Sequence, residues 1–251
     1  MDLTELSKKD HKLIYSSDIN NQILEVREYQ QYRWFTLGGE IVQSVIDLKH
    51  SNKLLLPIPQ SMLLFLLWKK SSIKLLNLGM GAGSFERYLA NASEVNVTSV
   101  EKHHKIITMA KEYFFLPKSQ DVHQVSAEDF LIHNQQKYDV ILTDVFYQQK
   151  SPDFLYQSTF YRDLLNSITK NGVVLCNLFV ENKQLLLDAL TAINQYFTYI
   201  AIIEFTDYQN IVLILSRASI PCQKTLMFEN NQRPLNLAID FSPFIEKIHY
   251  C

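Results

Sequence analysis

Glycine is scarce in this chain: only 6 of its 251 residues are glycine, against about 7% in average proteins. Three of the six lie within five positions, at Gly79, Gly81 and Gly83. Glycine adopts backbone conformations that other residues avoid. This concentration therefore indicates a turn with unusual backbone geometry, and we expect the functional site there.

The cysteine and histidine patterns argue against a metal-binding protein and against one stabilised by disulfides. The three cysteines, Cys176, Cys222 and Cys251, are widely separated and form no CxxC pair, so the sequence predicts neither a zinc site nor a disulfide framework. This usage is typical of a reducing compartment, and we expect a cytoplasmic protein. The adjacent histidines, His103 and His104, have no spaced partner, and we expect no metal.

Strong net charge and long apolar runs are also missing. The formal net charge is −2 with an isoelectric point near 6.4, which gives no general attraction to nucleic acid or anionic lipid. The most apolar stretch, residues 54–68, is interrupted by Pro57 and Pro59 and is shorter than the roughly 20 residues that cross a bilayer. The N-terminus lacks the apolar run of a signal peptide. We expect no nucleic-acid or membrane partner.

What is present divides into two regions. Residues 22–28, 32–37 and 41–48 are rich in β-branched and aromatic residues, with Gly38-Gly39 as a turn signal, and predict a small β-meander or hairpin. An apolar helix is predicted at residues 59–69. We expect an N-terminal β-region at residues 1–55 and a larger α/β domain at residues 56–251.

The larger domain alternates strand and helix patterns. Strands are predicted at residues 73–78, 95–100, 122–125, 138–143, 173–178, 199–205 and 211–215, and helices at residues 84–91, 103–115, 127–134, 158–169 and 181–196. Continuous apolar strands joined by helices predict a doubly wound, mostly parallel, seven-stranded sheet. Only residues 206–210 separate the last two strands, too few for a parallel crossover, so that pair is predicted to be antiparallel.

The glycine cluster lies in NLGMGAGS, directly after the first strand of this series. Such a turn brings the backbone close to a ligand, and the helix that follows favours an anionic or polar group. The spacing is GxGxG, which fits a dinucleotide phosphate less well than GxGxxG does. The alternative from the residues alone is a strand-to-helix turn that binds nothing.

Two carboxylates follow at the ends of neighbouring strands. Glu101 ends the second strand, 22 residues after Gly79, where an acid can accept hydrogen bonds from ribose hydroxyls. Asp144 ends the fourth strand in YDVILTD, at the edge where ligands of open α/β sheets bind, and can take a proton from a nucleophile. The alternatives are an exposed strand-end glutamate and a loop-capping aspartate. The aromatic loop at residues 145–156 suggests a lid.

Together these segments resemble the spermidine synthases, the polyamine aminopropyltransferases, over roughly residues 22–180. LLNLGMGAGSFERYLA resembles the family's nucleotide turn, VTSVEKHHKIITMAKEYF its second strand with the ribose-binding acid, and YDVILTD the segment with its catalytic aspartate. ILEVREYQQYRWFTLGGEIVQ resembles its N-terminal β-region. The resemblance implies the class I methyltransferase fold and a homodimer.

The resemblance also implies a site. Asp144 would be catalytic, and Gln60 and Tyr147 would lie at the acceptor. The donor, S-adenosylmethionine or its decarboxylated form, would be bound without metal by the following residues: Gly79, Gly81, Ala82, Gly83, Glu101, Ser126, Ala127 and Asp144.

Several expected family side chains are replaced. Ala82 stands where the family has an aspartate on the donor's amine, Tyr147 where it has an aspartate on the acceptor amine, and Ser126 where it has one near the adenine; Pro59-Gln60 replaces a tyrosine or histidine. Ammonium groups shielded from water need fixed carboxylates. These losses disfavour a standard diamine, and Ala82 removes a charge that would repel the carboxylate of intact S-adenosylmethionine.

Three hypotheses follow: an aminopropyltransferase-like enzyme, a methyltransferase with a non-polyamine acceptor, and a nucleoside-binding relative without catalysis. A nicotinamide dehydrogenase fits poorly, because GxGxG with Asp144 does not suit it and no Tyr-x-x-x-Lys is present.

Overall fold

The N-terminal sheet is an antiparallel meander. The structure, a computed structural model, describes residues 11–146, 151–233 and 238–251. Four strands pair in chain order: β1 (Lys12–Ile19), β2 (Gln22–Tyr29), β3 (Tyr32–Leu37) and β4 (Val42–Asp47). The last three confirm the predicted meander. β1 was not predicted, although Asn20 and Asn21, both at positive φ, form the tight turn that joins it to β2.

The second sheet has eight strands, one more than predicted. In chain order they are β5 (Ile73–Leu78), β6 (Val95–Val100), β7 (Asp121–His123), β8 (Tyr138–Thr143), β9 (Ile168–Phe179), β10 (Tyr199–Glu204), β11 (Asn210–Ser216) and β12 (Ile248–Tyr250). Their spatial order is β12-β10-β11-β9-β8-β5-β6-β7.

The directions of the strands confirm the doubly wound, mostly parallel sheet. β5 pairs in parallel with β6 and β8, and β9 continues the parallel set. β11 is antiparallel to β10, as the short connection between them predicted. It is also antiparallel to β9. The prediction of seven strands was wrong because β12, only three residues long, carries too little pattern to be recognised; it pairs antiparallel with β10.

Helices cover both faces of this sheet. They are α1 (Pro57–Met62), α2 (Ser84–Leu89), α3 (His104–Tyr113), α4 (Ala127–His133), α5 (Ser158–Ser167), α6 (Lys183–Ile193), α7 (Gln223–Asn231) and α8 (Ser242–Ile245). The predicted helix at 59–69 is shorter and breaks into a 3-10 turn at Leu64–Leu67. No helix in the described ranges is both long and apolar enough to cross a membrane.

Alternate residues of the central strands point into two separate cores. Leu75 on β5 packs with α1 and α2 on one face, whereas Leu76 packs with α5 and α6 on the other. A third core joins the N-terminal sheet to α3 and to the glycine turn, and contains Phe35, Phe114 and Ala82. This third core holds the N-terminal sheet against the end of the parallel strands where the turn lies.

The buried side chain of Arg87 ties the same parts together by hydrogen bonds. Its Nε donates to the carbonyl of Ser51 at 3.1 Å, and its Nη1 donates to the carbonyls of Phe114, at 2.9 Å, and of Ala82. Burial lowers the pKa of Arg87 to about 10, so the guanidinium stays charged at neutral pH.

We predict that Arg87→Met lowers the free energy of unfolding by about 3 kcal/mol or more, because two buried carbonyls and one partly buried carbonyl lose a charged donor. Urea denaturation measures this. Arg162→Met is the matched control, since Arg162 is exposed and bonds its neighbour Asp163, and we expect no change of midpoint. Equal effects of the two substitutions would contradict the stabilising role of the Arg87 hydrogen bonds.

Candidate active site

A cavity of about 490 Å³ lies between the N-terminal sheet and the carboxyl edge of the parallel strands. Along that edge β5 contributes Gly79, β6 Glu101 and β8 Asp144. The N-terminal sheet contributes apolar side chains such as Phe35 and Leu37. This is the edge at which open α/β sheets bind ligands.

The cavity has two halves, which meet at Asp144 because β8 lies between β5 and β9 in the sheet. We call the first the β5–β7 half; its lining includes Gly79–Ala82, Glu101 and Ser126. We call the second the β9–β11 half; it is lined by Pro152, Phe154, Asn177, Phe179, Tyr208 and Asn210.

The three glycines of the turn have different roles. All three have positive φ. A Cβ on Gly79 would lie 2.3 Å from the backbone oxygen of Asp144, and a Cβ on Gly83 would lie 2.5 Å from Leu116 Cδ1. A Cβ on Gly81 would meet nothing within 4 Å. Gly79 and Gly83 thus serve packing, and Gly81 faces open space; Gly83 is not among the residues that line the cavity.

Glu101 is buried, not an exposed strand-end glutamate: its exposure is 7%. Its Oε2 accepts a hydrogen bond from the Gly81 amide at 3.1 Å and its Oε1 accepts one from the His103 amide at 2.9 Å. Burial raises the pKa of this carboxyl, and the amide donors oppose that rise. The side chain is therefore fixed at the cavity wall with acceptor capacity left on each oxygen.

Glu86, which the sequence did not single out, lies under the turn. It is buried and accepts hydrogen bonds from Asn77 Nδ2 at 2.7 Å and Ser99 Oγ at 2.5 Å. Burial raises the pKa of Glu86. These bonds join α2 to β5 and β6 directly beneath the glycines.

Asp144 is oriented by a chain of two amides. Asn177 Nδ2 donates to Asp144 Oδ1 at 2.8 Å, and Asn210 Nδ2 donates to Asn177 Oδ1 at 2.9 Å. Burial raises the pKa of Asp144 to about 6, and the bond from Asn177 opposes the rise. Sequence reasoning missed both asparagines; the signal was a polar residue within the otherwise apolar strand VVLCNLF.

The remaining residues predicted for the donor also line the cavity. Ser126 and Ala127 line the cavity. Ser126 also caps α4, since its Oγ accepts the Asp129 amide hydrogen at 3.1 Å. Ala82 lines the cavity too, although it is only 2% exposed.

The two residues predicted for the acceptor side are Gln60 and Tyr147. Gln60 is not among the residues that line the cavity; its amide donates to the carbonyl of Leu54 at 2.6 Å, while neighbouring Pro59 lines the wall. Tyr147 lies outside the described residues. Within residues 11–146, 151–233 and 238–251, no group of three potential metal ligands is present.

The fold and site define the class: this is the fold of class I methyltransferases with an added N-terminal sheet. A probable spermidine synthase from Corynebacterium glutamicum superposes with a TM-score of 0.76, covering 94% of this chain and 89% of that one at 17% identity. Human methyltransferase-like protein 13, solved with SAH, superposes with a TM-score of 0.63, covering 72% of this chain and 90% of that one at 18% identity.

Sequence comparison adds curated relatives to these structural neighbours. No family model matches the chain. The polyamine aminopropyltransferase of Chromobacterium violaceum is 29% identical over 168 residues, 64% of this chain and 63% of the relative, so less than two thirds of its length is matched. That of Vibrio vulnificus is 26% identical over 98% of this chain and 84% of its own. The chain is thus similar in sequence, at 26–29% identity, to proteins named polyamine aminopropyltransferase.

We predict that Gly79→Ala destabilises the protein more than Gly81→Ala does. An alanine at either position pays the cost of a left-handed backbone, about 1–2 kcal/mol, but only at position 79 must two backbones separate as well. We expect Gly79→Ala to cost about 3 kcal/mol or more, measured by urea unfolding. Equal losses would contradict the packing role of Gly79.

We also predict that Asp144→Asn raises the melting temperature at pH 8 more than at pH 5. The folded-state pKa of about 6 exceeds the usual 3.8, so folding favours the protonated acid, and wild-type stability falls as pH rises through this interval. Asparagine carries no charge to desolvate and keeps an oxygen for Asn177. An equal rise in melting temperature at pH 5 and pH 8 would contradict the raised pKa of Asp144.

Proposed function

We propose that the chain transfers an aminopropyl group from decarboxylated S-adenosylmethionine to an amine. The observation that carries the proposal is Asp144, a carboxylate of raised pKa at the junction of the two cavity halves. An acid at this point can contact a sulfonium on one side and a nucleophile on the other. The relatives named polyamine aminopropyltransferase support this activity.

The donor's nucleoside would occupy the β5–β7 half. The free acceptor capacity of Glu101 suits ribose hydroxyls, Gly81 leaves the backbone open to the ligand, and Ser126 and Ala127 offer a wall near the base. A solved spermidine synthase of this fold holds the transition-state analogue AdoDATO, with a TM-score of 0.65, 18% identity, and coverage of 86% of this chain and 75% of that one.

The transfer itself needs alignment and one proton acceptor. Asp144 accepts a proton from the bound ammonium and so frees the lone pair of its nitrogen. The lone pair attacks the methylene beside the sulfonium, the carbon–sulfur bond breaks, and its electrons return to sulfur, so methylthioadenosine leaves as a neutral thioether and the nitrogen becomes a secondary ammonium. Asn177, itself held by Asn210, would aim the carboxylate at that nitrogen.

Methyl transfer from intact S-adenosylmethionine is the second candidate, and Ala82 is the observation that favours it. Ala82 is among the residues that line the cavity and places no negative charge against the amino acid end of that donor. The methyltransferase-like neighbour solved with SAH shares the fold.

The remaining proposals concern the whole chain. We propose a small-molecule amine as partner, a cytoplasmic location, a homodimer as in the family resemblance, and a domain division at residues 55 and 56. The separate N-terminal and eight-stranded sheets support that division.

Asp144→Asn tests the activity. We expect turnover with decarboxylated S-adenosylmethionine and a panel of primary amines to fall by about 100-fold or more, with methylthioadenosine binding by calorimetry retained. Wild-type turnover should decline below about pH 6, where Asp144 becomes protonated. Asp188→Asn, an exposed aspartate on α6, is the matched control.

The outcomes separate the candidates. Methylthioadenosine release and an aminopropylated amine support the first proposal, whereas a methylated amine from intact S-adenosylmethionine supports the second. Unchanged turnover in Asp144→Asn would remove Asp144 from the proton-accepting role.

A further inference from the structure

We infer that the acceptor is an amine with one ammonium group on an apolar body, such as an alkyl or arylalkyl monoamine, and not a diamine. This inference rests on the proposed function and names its acceptor class. If the nucleoside fills the β5–β7 half, the acceptor must lie in the β9–β11 half. The inference is argued from the charge and polarity of that half.

Carboxylates are distributed unevenly around the cavity. Among the described residues of the lining, the acids are Glu101, Glu128 and Asp144. Glu101 follows β6 and Glu128 is in the first turn of α4, after β7, so both belong to the β5–β7 half. Asp144 is thus the one carboxylate of the described lining that borders the β9–β11 half.

The two asparagines of the β9–β11 half are bound to one another and to Asp144. Asn210 donates to Asn177, and Asn177 donates to Asp144. Beside the lining, Ser151 Oγ accepts the Phe179 amide hydrogen at 2.8 Å, and Tyr156 donates its hydroxyl hydrogen to the Phe179 carbonyl at 2.9 Å. A second ammonium entering this half would find no free carboxylate in the described wall.

The wall offers apolar surface in place of charge. Phe154, Phe179 and Tyr208 line this half, and Leu37, Ile41 and Val42 of the N-terminal region line the same cavity. Burying apolar surface contributes about 25 cal/mol per Å², whereas an unpaired ammonium shielded from water costs several kcal/mol. One charged head at Asp144 and an apolar body along this wall match both requirements.

Amines that share a carbon skeleton test the inference directly. Initial rates are measured with decarboxylated S-adenosylmethionine and two pairs, hexylamine with hexamethylenediamine and butylamine with putrescine, products being identified by mass spectrometry. We expect kcat/KM to favour each monoamine by about tenfold or more. The same four amines are titrated by calorimetry into protein saturated with methylthioadenosine, where we expect the same order of affinity.

A variant that restores the missing charge gives the converse test. Tyr208 is 38% exposed and lines the β9–β11 half. We expect Tyr208→Glu to raise the diamine-to-monoamine ratio of affinities by about tenfold. The matched control is Tyr199→Glu: Tyr199 is 42% exposed at the start of β10, the opposite edge of the sheet, and its substitution should leave the ratio unchanged.

Each outcome bears on a distinct claim. Diamines that bind or react as well as the matched monoamines, or a Tyr208→Glu ratio equal to wild type, would overturn the inference and leave aminopropyl transfer standing. Preferential monoamine binding without turnover of any amine would support the acceptor class and refute the transfer. Absence of binding by all four amines would overturn the inference, and methylthioadenosine binding would then still report on the nucleoside site.

Discussion

The close approach of Gly79 to the backbone of Asp144 is the constraint on which the site depends. The Asp144 amide donates to the Leu78 carbonyl at 2.9 Å, and the Gly79 and Met80 amides both donate to the Val100 carbonyl at 3.0 Å. Three neighbouring strand ends are thereby held in one register. Since a side chain at position 79 would force them apart, the glycine keeps the distance between the turn and the carboxylate short.

The sequence predicted those parts of the site that local pattern determines. Glu101 and Asp144 could be placed because each follows an apolar strand directly, and parallel strands end at a common edge. The pairing of Asn177 with Asp144 and Asn210 could not, because it joins residues 33 positions apart on each side. The distinct roles of the three glycines also depend on neighbours distant in sequence, and β12 is too short to show a pattern.

Burial links stability to chemistry in this cavity. The pKa values of Asp144, Glu101 and Glu86 are all raised chiefly by loss of solvent, so each carboxylate costs folding free energy when ionised. Their supports differ: two backbone amides hold Glu101, and a single side-chain amide holds Asp144. The bond from Asn177 opposes the effect of burial without cancelling it, and the resulting pKa of about 6 lets Asp144 accept a proton near neutral pH.

The alanine at position 82 is coupled to the packing of the N-terminal sheet. Ala82 belongs to the core that contains Phe35 and Phe114, and its carbonyl is bound by Arg87. If position 82 alone were changed to aspartate, a carboxylate would lie within an apolar contact. Removing that ion from water would cost free energy. The change from charge to methyl is therefore a property of the interface as well as of the cavity. The same N-terminal sheet supplies Leu37 and Val42 to the cavity wall, so the packing that buries Ala82 also determines part of the apolar lining of the cavity.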